Sequence, residues 1–181
     1  MVKKAKQIEI LQKDNPVLRQ VSKPISEKEI SGTEIKKIIS DMKIALNSQE
    51  DGIAISAVQI GYLSRIFIIS KKIYEVLGEA PEVAGKKSDL VFINPKIKKV
   101  SKDKQLLEEG CLSVRYLYGK VLRSAKATIE ALDENGKKFS RGVSGLLAQI
   151  VQHENDHLDG ILFIDKATDI QEILPESIKT K

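Results

Sequence analysis

Two stretches of the chain carry apolar residues at helical spacing. In the first, Ile35, Ile38, Ile39, Met42, Ala45 and Leu46 fall on one stripe. Steps of three and four residues predict a helix with that stripe in the core. Ser31 followed three residues later by Glu34 makes a capping-box pattern at its start. The second helix is expected over roughly Ser144 to Leu158. There Leu147, Ile150, Val151, Glu154 and Leu158 occupy neighbouring turns, and Asp159-Gly160 supplies the stop. Short β-rich runs at Arg65 to Ser70 and Leu90 to Asn94 predict strands. KATIEALD and KKFSRGV flank Glu134-Asn135-Gly136, a hairpin signal because Asn-Gly tolerates positive φ. Lys71 to Asp89, with Gly78, Pro81 and Gly85, is expected to be a loop with a helical turn at its start. Lys13 to Ile25, punctuated by Pro16 and Pro24, is expected to be an extended surface strap. Mixed strands with few helices give an α+β class, the second helix packed against the sheet.

Composition adds limits. There is no internal repeat or low-complexity linker, so the 181 residues are expected to form one domain. Tryptophan is absent, which leaves Ile, Leu and Val to build the core. The net charge is +5, but the lysines are spread along the chain, as on a solvated surface, and no nucleic-acid binding is expected from them. No apolar run approaches membrane-spanning length. The start, MVKKAKQIEILQKD, has no apolar segment of the signal-peptide kind, and a cytoplasmic protein is expected. The single cysteine, Cys111, has no partner within the chain for a disulfide.

The chemistry concentrates in QHENDHLDG, Gln152 to Gly160, which holds both histidines of the chain. On a helix His153 and His157 project from one face, one turn apart, and two imidazoles at that spacing can ligate one metal ion. Glu154 then stands beside the first ligand as a general base: the HExxH arrangement. A catalytic site of this type needs a third protein ligand. Downstream there is no histidine, and Glu172 and Glu176 are the only glutamates; upstream lies EEGCLSV with Cys111, whose thiolate a neighbouring cation would favour.

Taken together, these pieces resemble the peptide deformylase family. HENDH matches its HExxH signature, EGCLS (Glu109 to Ser113) its second motif and GIAISAVQ (Gly52 to Gln59) its first, in the family's order. NPVLRQVSKPI resembles its amino-terminal strap and LVFINPKI its central strand, so the likeness runs from about Ile8 to Asp165, leaving a short tail over 166–181. The resemblance implies mixed or antiparallel strands packed around a central HExxH-bearing helix. It implies removal of the formyl group from the N-terminal formylmethionine of nascent polypeptides, with release of formate. It implies Cys111, His153 and His157 as metal ligands, with Fe²⁺ as the ion and Zn²⁺, Ni²⁺ or Co²⁺ as alternatives. Glu154 would move the proton, while the Gln59 amide and the Leu112 backbone N–H would face the oxyanion. Gly52, Ile53, Ala54 and Gly110 would line the substrate, and a Glu109–Arg123 pair would hold the cysteine loop. A nascent substrate also implies transient proximity to ribosomes.

The sequence departs from the family pattern in places. Ala54, Ile55 and Ser56 stand where the first motif usually has glycine, leucine and alanine. A methyl at Ala54 touches peptide binding, since close backbone approach often needs glycine. Val114-Arg115-Tyr116-Leu117-Tyr118 replaces a proline-glycine turn and puts bulky groups near the cleft. The tail does not resemble the long basic helix with which some members dock on ribosomes. Two other readings remain open at this point: a zincin-type metallopeptidase with a downstream third ligand, and a deformylase-like metal-binding protein with weak or altered activity.

Overall fold

The structure is a computed structural model that describes residues 7–79, 85 and 87–175. Among them the order is α1 (Glu27–Ile30), α2 (Thr33–Asn47), β1 (Ala54–Ser56), β2 (Ile66–Ile69), α3 (Lys72–Val76), β3 (Leu90–Val100), β4 (Lys104–Cys111), β5 (Val114–Ser124), β6 (Lys126–Leu132), β7 (Lys138–Ser144), α4 (Gly145–Leu158) and β8 (Thr168–Glu172). Three 3₁₀ turns, Pro16–Arg19, Ala57–Ile60 and Phe163–Asp165, join them. The strands form a five-stranded sheet in the order β1-β2-β3-β6-β7 and a three-stranded sheet in the order β4-β5-β8. Every ladder between these strands is antiparallel. The α+β class is as expected.

The larger sheet lies between the two long helices. Ile66 and Ile68 of β2 point to the side covered by the Ile35, Ile38, Ile39 and Met42 stripe of α2. Phe67 and Ile69 point to the other side, where Ala148, Ile150 and Val151 of α4 close the core. β2 is therefore buried along its whole length, which is why it appears as an unbroken apolar run rather than an alternating one. Phe67 and Phe92 are direct cross-strand partners, their rings stacked 4.4 Å apart. Each such buried side chain contributes roughly 1.5–3 kcal/mol. A third cluster, including Leu18, Val58, Val121 and Phe163, lies beneath the smaller sheet.

Several local expectations change. The capping box belongs to α1, where the Ser26 backbone N–H and hydroxyl both donate to Glu29 Oε2, at 3.0 and 2.7 Å. Ser31 ends that turn, and α2 starts two residues later at Thr33 with Gly32 as its cap. The strap over residues 13–25 is only partly at the surface. Its Leu18 is fully buried, and Lys23 bridges to Ser64. Gly160, at φ 75°, ends α4 where a Cβ would stand 2.6 Å from the Arg19 carbonyl oxygen. The strap thus needs glycine beneath it. β3 continues past Asn94 to Val100. Asn94 sits at φ 51° and Pro95 falls at a register shift, where the ladder does not require its missing N–H. Within the tail, Thr168–Glu172 adds to β5, pairing Tyr118 with Gln171. The loop after β2 opens with α3, as expected; its residues 80–84 and 86 lie outside the described residues, as do 1–6 and 176–181 with Glu176.

Candidate active site

Three elements meet at the site, and each has a sequence reason for its place. α4 carries His153, Glu154 and His157 on the face turned away from solvent, because its apolar residues anchor it to the sheet. β4 runs into a two-residue turn, Leu112-Ser113, so that Cys111 lies at the tip of the β4–β5 hairpin and pairs with Val114. β1 passes directly into the turn that carries Gln59, itself closed by Gly61 in the left-handed conformation.

Cys111, His153 and His157 bring one donor atom each to within 4.8 Å of one another. Cys111 Sγ stands 3.1 Å from His157 Nε2. His153 Nδ1 is 2.9 Å from Glu109 Oε2, which fixes that ring's orientation. One thiolate and two imidazoles suit a transition-metal ion. Burial alone would lower the His153 pKa, yet the hydrogen bonds to Cys111 and Glu109 outweigh it and hold His153 well above its ordinary value. His157 is pushed well below its ordinary value by burial and by His153. One sulfur and two imidazole nitrogens gathered in this way are a donor set that fits a metal ion. The expected downstream alternative does not join them: Glu172 is exposed on β8.

Glu154 is buried at 4% exposure, and burial raises its pKa above the ordinary carboxylate value. Ser56 donates to its Oε2 at 2.7 Å. The Gln59 amide donates to Ser113 Oγ at 3.1 Å and approaches Cys111 Sγ at 3.6 Å, while its oxygen accepts from the Ser56 backbone N–H at 2.7 Å. Glu154, Gln59, Cys111 and His153 line a cleft of about 360 Å³ together with Ile53, Ala54, Gly110, Leu112, Leu146 and Ile150. Gly52 is not part of that lining; a Cβ there would meet Gln49 and Leu46 behind β1. Gly110 pairs with Tyr118 across the hairpin, and a Cβ would lie 2.8 Å from that ring.

Arg123 and Glu109 face each other inside the protein, 3% and 6% exposed. Arg123 Nε and Nη2 donate to the two Glu109 oxygens at 2.7 and 2.9 Å, and Nη1 donates to Asp156 at 2.6 Å. Burial would raise the Glu109 pKa, but Arg123 and His153 override it and bring it to about 2. Replacing Arg123 by methionine takes the guanidinium from buried Glu109, which keeps only His153 and a long Gln149 contact, while Asp156 keeps Lys166; it should cost about 3–5 kcal/mol of stability, read as a lower midpoint in urea unfolding. The bulge after Cys111 behaves as its composition suggests. Arg115, Tyr116 and Leu117 line the cleft, Tyr116 sits at a strained φ of 68°, and Arg115 pairs with Asp51 at 2.7 Å.

Residues 7–172 match the family model of polypeptide deformylase. The chain belongs to the peptide deformylase family. A peptide deformylase of Rhizobium meliloti (strain 1021) is 41% identical over 153 residues, covering 83% of this chain and 79% of its own length. The crystal structure of a peptide deformylase from Legionella pneumophila has a TM-score of 0.77 at 33% identity, covering 91% of this chain and 88% of that one. A Met-Ala-Ser-bound class I type b peptide deformylase from Acinetobacter baumannii also reaches 0.77, at 27% identity, over 90% and 99% of the two chains. Like other peptide deformylases, the protein is a hydrolase that removes the formyl group from N-terminal formylmethionine. The family is metal-dependent, and among the described residues Cys111, His153 and His157 form a group that could hold the ion.

Some groups at this peptide deformylase site were given no role from sequence. Ser113 receives the Gln59 amide, Asp156 takes the third Arg123 bond, and Gln149 donates to the Glu108 carbonyl at 2.8 Å. Asp156 and Gln149 lie three after and four before His153 on α4, so helical spacing placed them on the histidine face.

Proposed function

We propose that Cys111, His153 and His157 hold one Fe²⁺ ion and that Glu154, Gln59 and Leu112 act on the formyl group. The convergence of the three donor atoms within 4.8 Å carries this reading. The choice of iron rests on the family resemblance, since softness alone leaves zinc equally suited. When bound, the ion acts as a Lewis acid that lets water ionise near neutral pH.

The residues supply the rest. Glu154 accepts the proton of the attacking water and returns it to the departing amine nitrogen, and its raised pKa suits both steps. The Gln59 amide and the Leu112 backbone N–H face the formyl oxygen as negative charge develops there. The formylmethionine peptide lies in the cleft between β1 and the cysteine hairpin, touching Ile53, Ala54 and Gly110. The A. baumannii relative with Met-Ala-Ser bound supports a peptide of that kind. Gly52 acts from behind, by letting β1 pack on α2. Glu109 and Arg123 keep His153 aimed. The chain works as one catalytic domain with its core over about 8–165, in the cytoplasm and transiently near ribosomes, where nascent formylated chains emerge.

The test is anaerobic reconstitution of the metal-free protein with Fe²⁺, Zn²⁺, Ni²⁺ or Co²⁺, followed by formate release from formyl-Met-Ala-Ser. Fe²⁺ should give the highest kcat/KM at one equivalent bound. A higher rate with Zn²⁺ would overturn the choice of iron.

A further inference from the structure

The geometry points to Ser56 as the positioning residue of the general base: its hydroxyl fixes the Glu154 carboxylate so that one oxygen stays free toward the cleft. This rests on the base role proposed for Glu154. Ser56 is fully buried on the short strand β1. Ile55 before it turns into the α2 core, so the alternation of the strand sends the Ser56 side chain toward α4. There its hydroxyl lies 2.7 Å from Glu154 Oε2 and 3.2 Å from the Glu154 carbonyl oxygen. A buried hydroxyl is costly unless bonded, and these are the acceptors it has.

The bond matters from the other side too. Among the described residues, Ser56 is the sole hydrogen-bond donor to the Glu154 carboxylate. The terminal torsion of a glutamate is broad and nearly two-fold. Without the Ser56 proton, the carboxylate can turn in the cleft wall. With it, Oε2 is tied to β1 and Oε1 remains for water. The same residue also holds Gln59, but through its backbone N–H. Exchanging the side chain therefore releases the base and leaves the oxyanion-facing amide in place.

This separation defines the experiment. Ser56→Ala removes the hydroxyl without adding bulk. It should lower kcat for formyl-Met-Ala-Ser about tenfold, because misplacing a catalytic group by about 1 Å costs up to 10²-fold. KM should stay within about twofold, with metal content unchanged and a cooperative thermal transition retained at a modestly lower midpoint, because a buried carboxylate loses its donor. Ser56→Thr, which restores the hydroxyl, should recover most of the lost kcat. In a Glu154→Gln background, Ser56→Ala should cause no further loss. An unchanged kcat in Ser56→Ala, a loss of bound metal that accounts for the slower rate, or a threonine variant as slow as alanine each overturns the positioning role. Retained activity in Glu154→Gln alone would instead overturn the base assignment beneath it.

Discussion

Cys111→Ala should abolish stoichiometric metal binding and, with it, formate release. The sulfur is the one donor of the three that does not come from α4. It reaches His157 Nε2 at 3.1 Å only because the hairpin turns immediately after Cys111. Two imidazoles remain on the helix after the substitution, too few for a closed three-ligand set. Loss of an outer hydrogen-bond partner of a metal ligand already costs about 10–100-fold in affinity, so loss of the ligand itself should exceed about 100-fold. The fold should survive. Cys111 is only half-buried, and Gly110–Tyr118 pairing and the Arg123–Glu109 bonds hold the hairpin without it. Metal analysis after dialysis, beside formate release and a thermal midpoint compared with the metal-free wild type, separates these effects. A variant that keeps one equivalent of metal and its activity would transfer the third ligand elsewhere and remove the basis of the proposed site.

The site was more legible in the sequence than the fold around it, for physical reasons. HENDH needs only helical geometry to become a half-site, and the stripe of Ile150, Val151 and Leu158 supplies that geometry locally. That Cys111 completes the set is a long-range fact. No periodicity links residue 111 to residue 153, and family resemblance rather than spacing named it. β4 and β5 escaped pattern reading because the smaller sheet has one solvent face. Leu106 and Leu122, directly paired, are 54% and 57% exposed there, so apolar residues do not mark the buried side. β8 escaped because TDIQE has no buried position at all. It forms from backbone pairing to β5, which composition does not record. Ser56 shows the converse case. Sequence marked it as a departure from the first motif, but its partner lies 98 residues away, and only the packing of β1 against α4 brings the hydroxyl to the base.

Glu154→Gln should divide the two things that the HExxH helix does. Glutamine has the shape of glutamate and can still accept from Ser56, so the helix, the cleft and the Cys111–His153–His157 group stay as they are. What it lacks is the capacity to take a proton from water and give it to the leaving nitrogen. General acid–base catalysis of this kind contributes about 10²–10⁴-fold, and kcat should fall by that factor with KM and metal content near wild type. Stability should move the other way. The pKa of Glu154 is raised by burial, so the folded state disfavours its charged form. At neutral pH, above the unfolded-state pKa, that cost opposes folding. It vanishes as pH falls below that value, where both states are protonated. A neutral glutamine removes the cost at pH 7, and the variant should melt at or above the wild-type midpoint. Formate release under single-turnover conditions, with metal analysis and thermal unfolding on the same preparation, tests both arms. Activity within tenfold of wild type would take Glu154 out of the proton transfer. A lowered midpoint with metal still bound would show that the buried charge supports the fold rather than straining it.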